Sequence, residues 1–139
     1  EEVPSEIECF TYHEAFMHFA GRCPVSMVER DEIFAFEIEP LLGKETFSVI
    51  TDFPPELAAL SQVAPNGMAE RFEIFYKGVE LANGYHELMD PIEQRRRLLS
   101  ESSNRIKLGK DTYPVDEHFV KALEVGLPDC CGVAVGFDR

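Results

Sequence analysis

The chain lacks the segments by which proteins enter or cross membranes. Its 139 residues contain no run approaching the roughly 18 apolar residues that a membrane-spanning helix requires. The start of the chain, Glu1-Glu2, is acidic, whereas a secretory signal begins with basic residues and continues with an apolar stretch. These absences predict a protein of the cytoplasm that has no membrane partner.

Basic residues are also scarce. Thirteen Lys and Arg residues stand against 26 Asp and Glu residues, which leaves a formal net charge of -13. Such a surface repels a phosphate backbone, so the composition disfavours tRNA and other nucleic acids as partners. Arg95, Arg96 and Arg97 form the only dense basic run. Because neighbours on a helix point about 100° apart, we interpret this run as a solvated face rather than a phosphate site.

Cysteine and histidine show none of the spacings typical of disulfide frameworks or zinc sites. His13 and His18 are five positions apart, and five positions rotate by about 140° around a helix. The two imidazoles are therefore not expected to share a metal ion. The four cysteines lack a Cys-x-x-Cys spacing, and the adjacent pair would close only a strained ring on oxidation. Reduced thiols are predicted for all four, which are Cys9, Cys23, Cys130 and Cys131.

The residues that are present suit one globular domain, since 45% of the chain is hydrophobic and 28% is charged. Ser/Thr-x-x-Glu patterns that start at Thr11 and Ser26 are capping boxes, which mark the beginnings of helices. They predict a helix over residues 12–20 and a second helix that ends before Gly43. We therefore expect residues 1–44 to form a helical connecting segment.

From residue 45 onward the apolar residues alternate as they do in strands. Lys77-Gly78 provides a two-residue connection between two such runs, which predicts a β-hairpin. We expect residues 45–139 to form an α+β domain, with an antiparallel β-sheet flanked by helices. Its predicted elements are strands over 46–52, 69–76 and 79–88, helices over 91–108 and from Asp116 to Gly126, and a last strand that follows Cys131.

Two carboxylates in the predicted hairpin suggest a cation site. Side chains alternate between the faces of a strand, so Glu80 and Glu87, seven positions apart, should point to opposite sides. A bulge at Gly84 would reverse that parity and bring both onto one face. Carboxylate oxygens suit Mg²⁺, which completes its shell with substrate phosphates and water. The alternative is that both residues are ordinary parts of the rim of an exposed sheet.

The end of the chain shows a pattern that suits a nucleotide. Gly132 and Gly136 bracket an apolar strand and would let the backbone approach a ligand closely. The guanidinium of Arg139 could stack on a base or pair with phosphate oxygens. The alternative is a common strand that ends in an arginine. His86, beside Glu87, is interpreted as a packed or rim histidine rather than as a catalytic base.

Two long segments, Glu70–Pro91 and Gly126–Arg139, resemble the C-terminal half of the catalytic domain in the class II lysyl-tRNA synthetase-like family. Within that family, Gly84-Tyr-His-Glu87 and Leu127-Pro-Asp-Cys-Cys-Gly132 are more similar to the elongation factor P lysine ligases than to true lysyl-tRNA synthetases. The true synthetases usually read more like Ala-Tyr-Thr-Glu and Leu-Pro-Pro-Thr-Gly-Gly there. The resemblance is strong over residues 45–139 and weak over the first forty.

The resemblance implies an ATP site on the sheet. Glu80 and Leu81 would lie at that site, and Glu80 and Glu87 would hold magnesium. Gly136 and Arg139 would belong to the third class II signature, with the guanidinium against the adenine and phosphates. Glu80 and Arg139 are thereby the expected catalytic residues.

The resemblance also implies a reaction. Lysine or β-lysine, facing Asn83 and Glu87, would react with ATP to give an aminoacyl-adenylate, and the acyl group would pass to a lysine of elongation factor P. Alternatives are a fragment of a lysyl-tRNA synthetase and a non-catalytic interaction module. Because the first two class II signatures are absent and the chain ends at the third, we expect half an active site that is inactive alone, and a homodimer for the full-length protein.

Overall fold

The computed structural model describes residues 5–139, so the acidic start at Glu1 and Glu2 lies outside the described residues. Five strands form one sheet in the order β1-β2-β3-β4-β5, in which β1 and β2 are parallel and the other pairs are antiparallel. The predicted α+β fold with a mainly antiparallel sheet and flanking helices is confirmed. The strands are β1 Ile7–Thr11, β2 Phe47–Thr51, β3 Arg71–Tyr76, β4 Val79–His86 and β5 Cys131–Val135.

Four helices accompany the sheet. Two of them continue into π-helical turns, and short 3₁₀ turns cover Glu39–Leu41 and Pro55–Leu57. No helix among residues 5–139 is long and apolar enough to span a bilayer. The helices are α1, Tyr12–Ala15 with Phe16–Ala20; α2, Met27–Ile33 with Phe34–Ile38; α3, Pro91–Lys107; and α4, Glu117–Val125.

The helices begin at the capping residues predicted from the sequence. The Thr11 hydroxyl accepts a hydrogen bond from the Glu14 amide at 3.2 Å, and the Glu14 carboxylate accepts one from the Thr11 amide at 2.8 Å. These bonds satisfy amides that have no partner within the helix. The bonds that the Thr11 amide and hydroxyl donate to the Glu14 carboxylate lower its pKa. Asp90 caps α3 in the same way, through a 2.8 Å bond from the amide of Ile92.

Strand β1 was not predicted. It has only five residues, and its last residue, Thr11, is also the cap of α1, so the helix signal overlaps its end. β1 pairs in parallel with β2 from Ile7 opposite Phe47 to Thr11 opposite Thr51. The expected helical segment over residues 1–44 therefore also supplies the first strand of the sheet.

The core lies between α1, α2 and one face of β2 and β3. Tyr12 stacks on Phe34 with ring centroids 5.4 Å apart, and Phe16 and Phe75 are both about 1% exposed. Burial raises the pKa of Tyr12 to about 12. Burying a large apolar side chain contributes roughly 1.5–3 kcal/mol. The two N-terminal helices thus share one core with the sheet.

Gly43 joins the N-terminal segment to the turn of the β3–β4 hairpin. Its carbonyl accepts a 2.6 Å hydrogen bond from the Lys77 amide, and its own amide donates to the Ser48 hydroxyl at 2.6 Å. Its φ is +68°, and a Cβ would lie 2.5 Å from the Tyr76 Cα. Backbone atoms cannot move aside as a flexible side chain can, so only glycine fits there.

Replacement of Gly43 by alanine is predicted to lower the free energy of unfolding by at least about 3 kcal/mol, since strain and a backbone clash add together. Gly109→Ala is the matched control, because Gly109 has a φ of +66° but no atom within 4 Å of the added Cβ. The control should lose only about 1–2 kcal/mol. Urea unfolding of the two variants measures the difference, and equal losses would contradict the close approach at Gly43.

Candidate active site

One extra residue in β4 decides which side chains share a face of the hairpin. Phe75 pairs with Glu80 and Ile74 pairs with Ala82, so Leu81 has no partner of its own and forms a β-bulge. Paired residues of antiparallel strands point to the same face. Glu80 therefore points to the face of Phe75, and regular alternation resumes after the bulge.

The bulge was predicted at Gly84, which is wrong. Gly84 pairs regularly with Phe72, and the pairs on either side of it are also regular. Its missing side chain serves packing, because a Cβ there would lie 2.3 Å from the Phe72 ring. The predicted consequence still holds, since the bulge at Leu81 also lies between Glu80 and Glu87.

Glu73 lies across the hairpin on the same face as Glu80 and was not identified from the sequence. It pairs with Asn83 in the strand register and is only 7% exposed. Its carboxylate forms an ion pair with Arg71 and lies 3.4 Å from the Asn83 amide nitrogen. Two acids seven positions apart, on either side of a two-residue turn, are the signal that could have revealed this pair.

The two acids of this pair repel one another. Burial raises the pKa of Glu73, the charges of Glu80 and Glu39 raise it further, and Arg71 opposes the rise. Burial also raises the pKa of Glu39, and there too Glu80 contributes, while Arg139 opposes it. A raised carboxyl pKa means that the ionised form is disfavoured unless a cation is present. This end of the hairpin is therefore suited to a positive ligand.

Glu87 lies beyond the other end of β4. Seven residues of extended strand, at about 3.3 Å each, cover roughly 20 Å. Ligands of Mg²⁺ lie about 2.1 Å from the metal. The structure thus places Glu80 and Glu87 on one face but does not bring them together at a single ion.

The Glu87 carboxylate rests over Gly132 of β5. A Cβ at Gly132 would lie 2.2 Å from the Glu87 Oε1 atom, so the glycine leaves the space that this carboxylate occupies. The Glu87 amide donates to the Cys130 carbonyl at 3.0 Å, and the Gln62 side chain donates to the Glu87 carbonyl at 3.1 Å. Glu87 is half-buried and held from both neighbouring segments.

His86 ties this end of β4 to the segment before β5. Its Nδ1 lies 2.7 Å from the Glu70 carboxylate, and its Nε2 lies 2.6 Å from the Asp129 carboxylate. The contacts with Asp129 and Glu70 raise the pKa of His86, and the hydrogen bond from His86 lowers the pKa of Asp129. With both ring nitrogens engaged, His86 matches the rim histidine expected from the sequence.

The predicted nucleotide residues converge at the Glu80 end of the hairpin. The Gly136 amide donates to the Leu81 carbonyl at 2.8 Å, and the Arg139 guanidinium donates to the Glu80 carbonyl at 2.8 Å. Arg139 is otherwise exposed. Glu80, Leu81, Gly136 and Arg139 thus lie together, and the Arg139 guanidinium also acts on the nearby Glu39 carboxylate.

The arginine run on α3 is engaged by neighbouring acids. Arg95 pairs with Glu117, and Arg96 and Arg97 bind Glu93 at 2.7 Å each. These bonds lower the pKa of Glu93 to about 2. All three side chains are thus neutralised by carboxylates, as suits a solvated face.

No three His, Cys, Asp or Glu side chains within residues 5–139 are grouped so that they could hold a metal. All four cysteines are free thiols, in agreement with the prediction.

Removal of the Asp129 carboxylate by Asp129→Asn is predicted to lower the pKa of His86 toward the ordinary value of about 6.5. In the unchanged chain the pKa is raised, so the stabilisation is complete below about pH 6.5 and is lost as pH rises through the higher value. NMR titration of the imidazole measures this shift. Asp111→Asn, which removes an exposed carboxylate that does not contact His86, should leave the titration unchanged; an equal effect would refute the pairing.

The sequence of this chain is similar to those of known proteins. The family model described as tRNA synthetases class II (D, K and N) matches residues 1–139. The elongation factor P (R)-beta-lysine ligase of Vibrio cholerae serotype O1 is 38% identical, over 95% of this chain and 49% of that protein. The ligase of the same name from Vibrio atlanticus is 36% identical over the same shares. The chain spans about half the length of these curated relatives, and it belongs to the class II tRNA synthetase family.

Proposed function

We propose that the protein that contains this chain is an ATP-dependent ligase. It activates lysine or β-lysine as an aminoacyl-adenylate and transfers the acyl group to a lysine of elongation factor P. The names of the relatives support this choice. The observation that carries it is one sheet face with an acidic pair and an arginine at one end and a half-buried carboxylate at the other.

Glu80 and Glu73 are the proposed magnesium ligands in this reaction. Their carboxylates offer hard oxygen donors on one face. Burial and the charge of Glu80 raise the pKa of Glu73, and a divalent cation would lower it again. Mg²⁺ typically takes one or two protein carboxylates and adds phosphate oxygens, and it neutralises phosphate charge when bound. Glu87, first expected to share this ion with Glu80, is too far along β4 for that role.

Glu87 and Asn83 are the proposed contacts of the amino-acid substrate. Lysine and β-lysine carry ammonium groups, for which a held carboxylate provides a charge-assisted hydrogen bond. Gly132 leaves room for the Glu87 carboxylate, and Gln62 and Cys130 fix its backbone. The environment of the Glu87 carboxylate favours a short cationic substrate over an apolar one.

Arg139, Gly136 and Leu81 are proposed to line the nucleotide. The bond from Arg139 to the Glu80 carbonyl holds the guanidinium at the edge of β4, where it can meet the adenine and phosphates. The substrate carboxylate is itself the nucleophile on the α-phosphate, so positioning and charge neutralisation suffice for the first step. No side-chain nucleophile is needed.

The proposed partner is a protein rather than tRNA. A formal charge of -13 over 139 residues opposes approach of an RNA backbone. Elongation factor P acts in translation, so the proposed reaction belongs to the cytoplasm. A homodimer, whose interface the family's first signature builds, is proposed for the full-length protein.

The metal assignment predicts different outcomes for three conservative variants. Glu73→Gln and Glu80→Gln should raise the magnesium concentration needed for ATP/pyrophosphate exchange and lower its rate by roughly 10²–10³-fold, because each removes a carboxylate from the ion. Glu87→Gln should instead raise the KM for the amino acid by roughly 10–100-fold. Exchange assays on the protein that contains this chain, with magnesium and amino acid varied in turn, separate the two effects. If Glu87→Gln raised the magnesium requirement and Glu73→Gln did not, Glu80 and Glu87 would be the magnesium ligands, as first expected.

The acceptor can be identified with radiolabelled lysine and β-lysine. Label should appear on elongation factor P and not on tRNA, and it should be lost when the acceptor lysine is replaced by arginine. Arg139→Ala should abolish adenylate formation and therefore both steps, while circular dichroism stays unchanged because the side chain is exposed. Transfer to tRNA alone would overturn the proposed acceptor and leave the adenylation step standing.

A further inference from the structure

A cluster of soft donor atoms lies on α1, outside the candidate active site. The Sγ atom of Cys23 is 3.6 Å from the Nδ1 atom of His13 and 3.6 Å from the Sδ atom of Met17. All three side chains are exposed. We propose that His13, Met17 and Cys23 form a surface binding site for a soft monovalent metal ion, Cu(I).

The spacing of the donors suits a shared ion. Metal–sulfur bonds of about 2.3 Å and metal–nitrogen bonds of about 2.1 Å place the donors of a trigonal or tetrahedral site about 3.6–4.0 Å apart. Cys23 already lies at this distance from both of its neighbours. His13 and Met17 extend from neighbouring positions of one helix face, so side-chain rotation can bring them to the same separation.

The local fold explains why these residues meet. His13 and Met17 are four positions apart, so they lie on one face of α1. Gly21 ends the helix with a φ of +68° and reverses the chain, which returns Cys23 over that face. Arg22, which lies between Gly21 and Cys23, donates to the Glu37 carboxylate at 2.9 Å and to the Ala20 carbonyl at 3.3 Å. The loop that carries Cys23 is thereby held in place.

The donor set selects the kind of metal. Thiolate and thioether sulfur favour Cu(I), and imidazole is compatible with it, whereas Mg²⁺ and Ca²⁺ prefer oxygen. Binding releases the thiol proton of Cys23 to solvent, so a thiolate and a monovalent cation form a neutral pair. The acidic surface of the chain also attracts cations.

The second histidine of the helix has a different role. The His18 ring packs against the rings of Phe10 and Phe19, with centroids 5.3 Å and 4.6 Å away. It faces the apolar surface rather than Cys23, which agrees with the expectation that the two histidines do not share an ion. His18 and the exposed thiol of Cys9 therefore provide matched control positions.

Anaerobic titration of the reduced chain with Cu(I), in competition with the chromophoric chelator bicinchoninate, tests the site. One equivalent should be retained by the unchanged chain and by Cys9→Ser and His18→Gln. Cys23→Ser should abolish retention. His13→Gln and Met17→Leu should each weaken it at least about tenfold, since even outer-shell changes cost 10- to 100-fold in metal affinity. Circular dichroism confirms folding, which exposed positions should not disturb.

The adjacent thiols of Cys130 and Cys131 are the rival ligands, and a double Cys130→Ser, Cys131→Ser variant separates them. Retention of one equivalent by this variant, with X-ray absorption showing two sulfur neighbours and one nitrogen neighbour, supports the site. Loss of Cu(I) from the double variant, or unchanged retention in Cys23→Ser, overturns it. So does failure of the unchanged chain to hold Cu(I) against the chelator. None of these readouts depends on the proposed ligase activity.

Discussion

The β-bulge at Leu81 is the constraint on which the arrangement of the sheet face depends. Without the extra residue, Asn83 and Glu87 would point away from the face that Glu73 and Glu80 share. With it, every second residue from Asn83 onward continues on the same face. Arg139 donates to the Glu80 carbonyl and Gly136 to the Leu81 carbonyl, so the last residues of the chain also take their positions from the bulge.

The face so formed concentrates negative charge, and the structure offsets that charge only in part. Arg71 pairs with Glu73, lies 4.5 Å from the Phe53 ring centroid and donates to the Leu57 carbonyl at 2.7 Å. Arg71 is thus held by contacts within the protein. Its charge offsets only part of the repulsion between Glu73 and Glu80, since the pKa of Glu73 stays raised. Perturbed groups of this kind are common at functional sites, where a ligand supplies the missing charge.

Local signals predicted most of the fold, because capping boxes, alternation and turn glycines act within a few residues. The helix starts after Thr11, Ser26 and Asp90 are examples. Local signals did not predict the register of the hairpin. The residue type at Leu81 does not indicate a bulge, and the glycine at Gly84, which suggested one, is explained instead by the Phe72 ring that packs against it. The pair of hairpin acids was within reach of the sequence, since the predicted two-residue turn already sets Glu80 opposite Phe75 and so on the face of Glu73.

The two stretches through which the sequence resembles the elongation factor P lysine ligases meet in space. His86 belongs to one stretch and Asp129 to the other, 43 positions apart in sequence, and their side chains are 2.6 Å apart. Asp129 loses its ion-pair partner if His86 is replaced, whereas His86 keeps the Glu70 carboxylate if Asp129 is replaced. The contact lies beside Glu87, so it helps to fix the strand end that carries the carboxylate proposed to bind the amino acid.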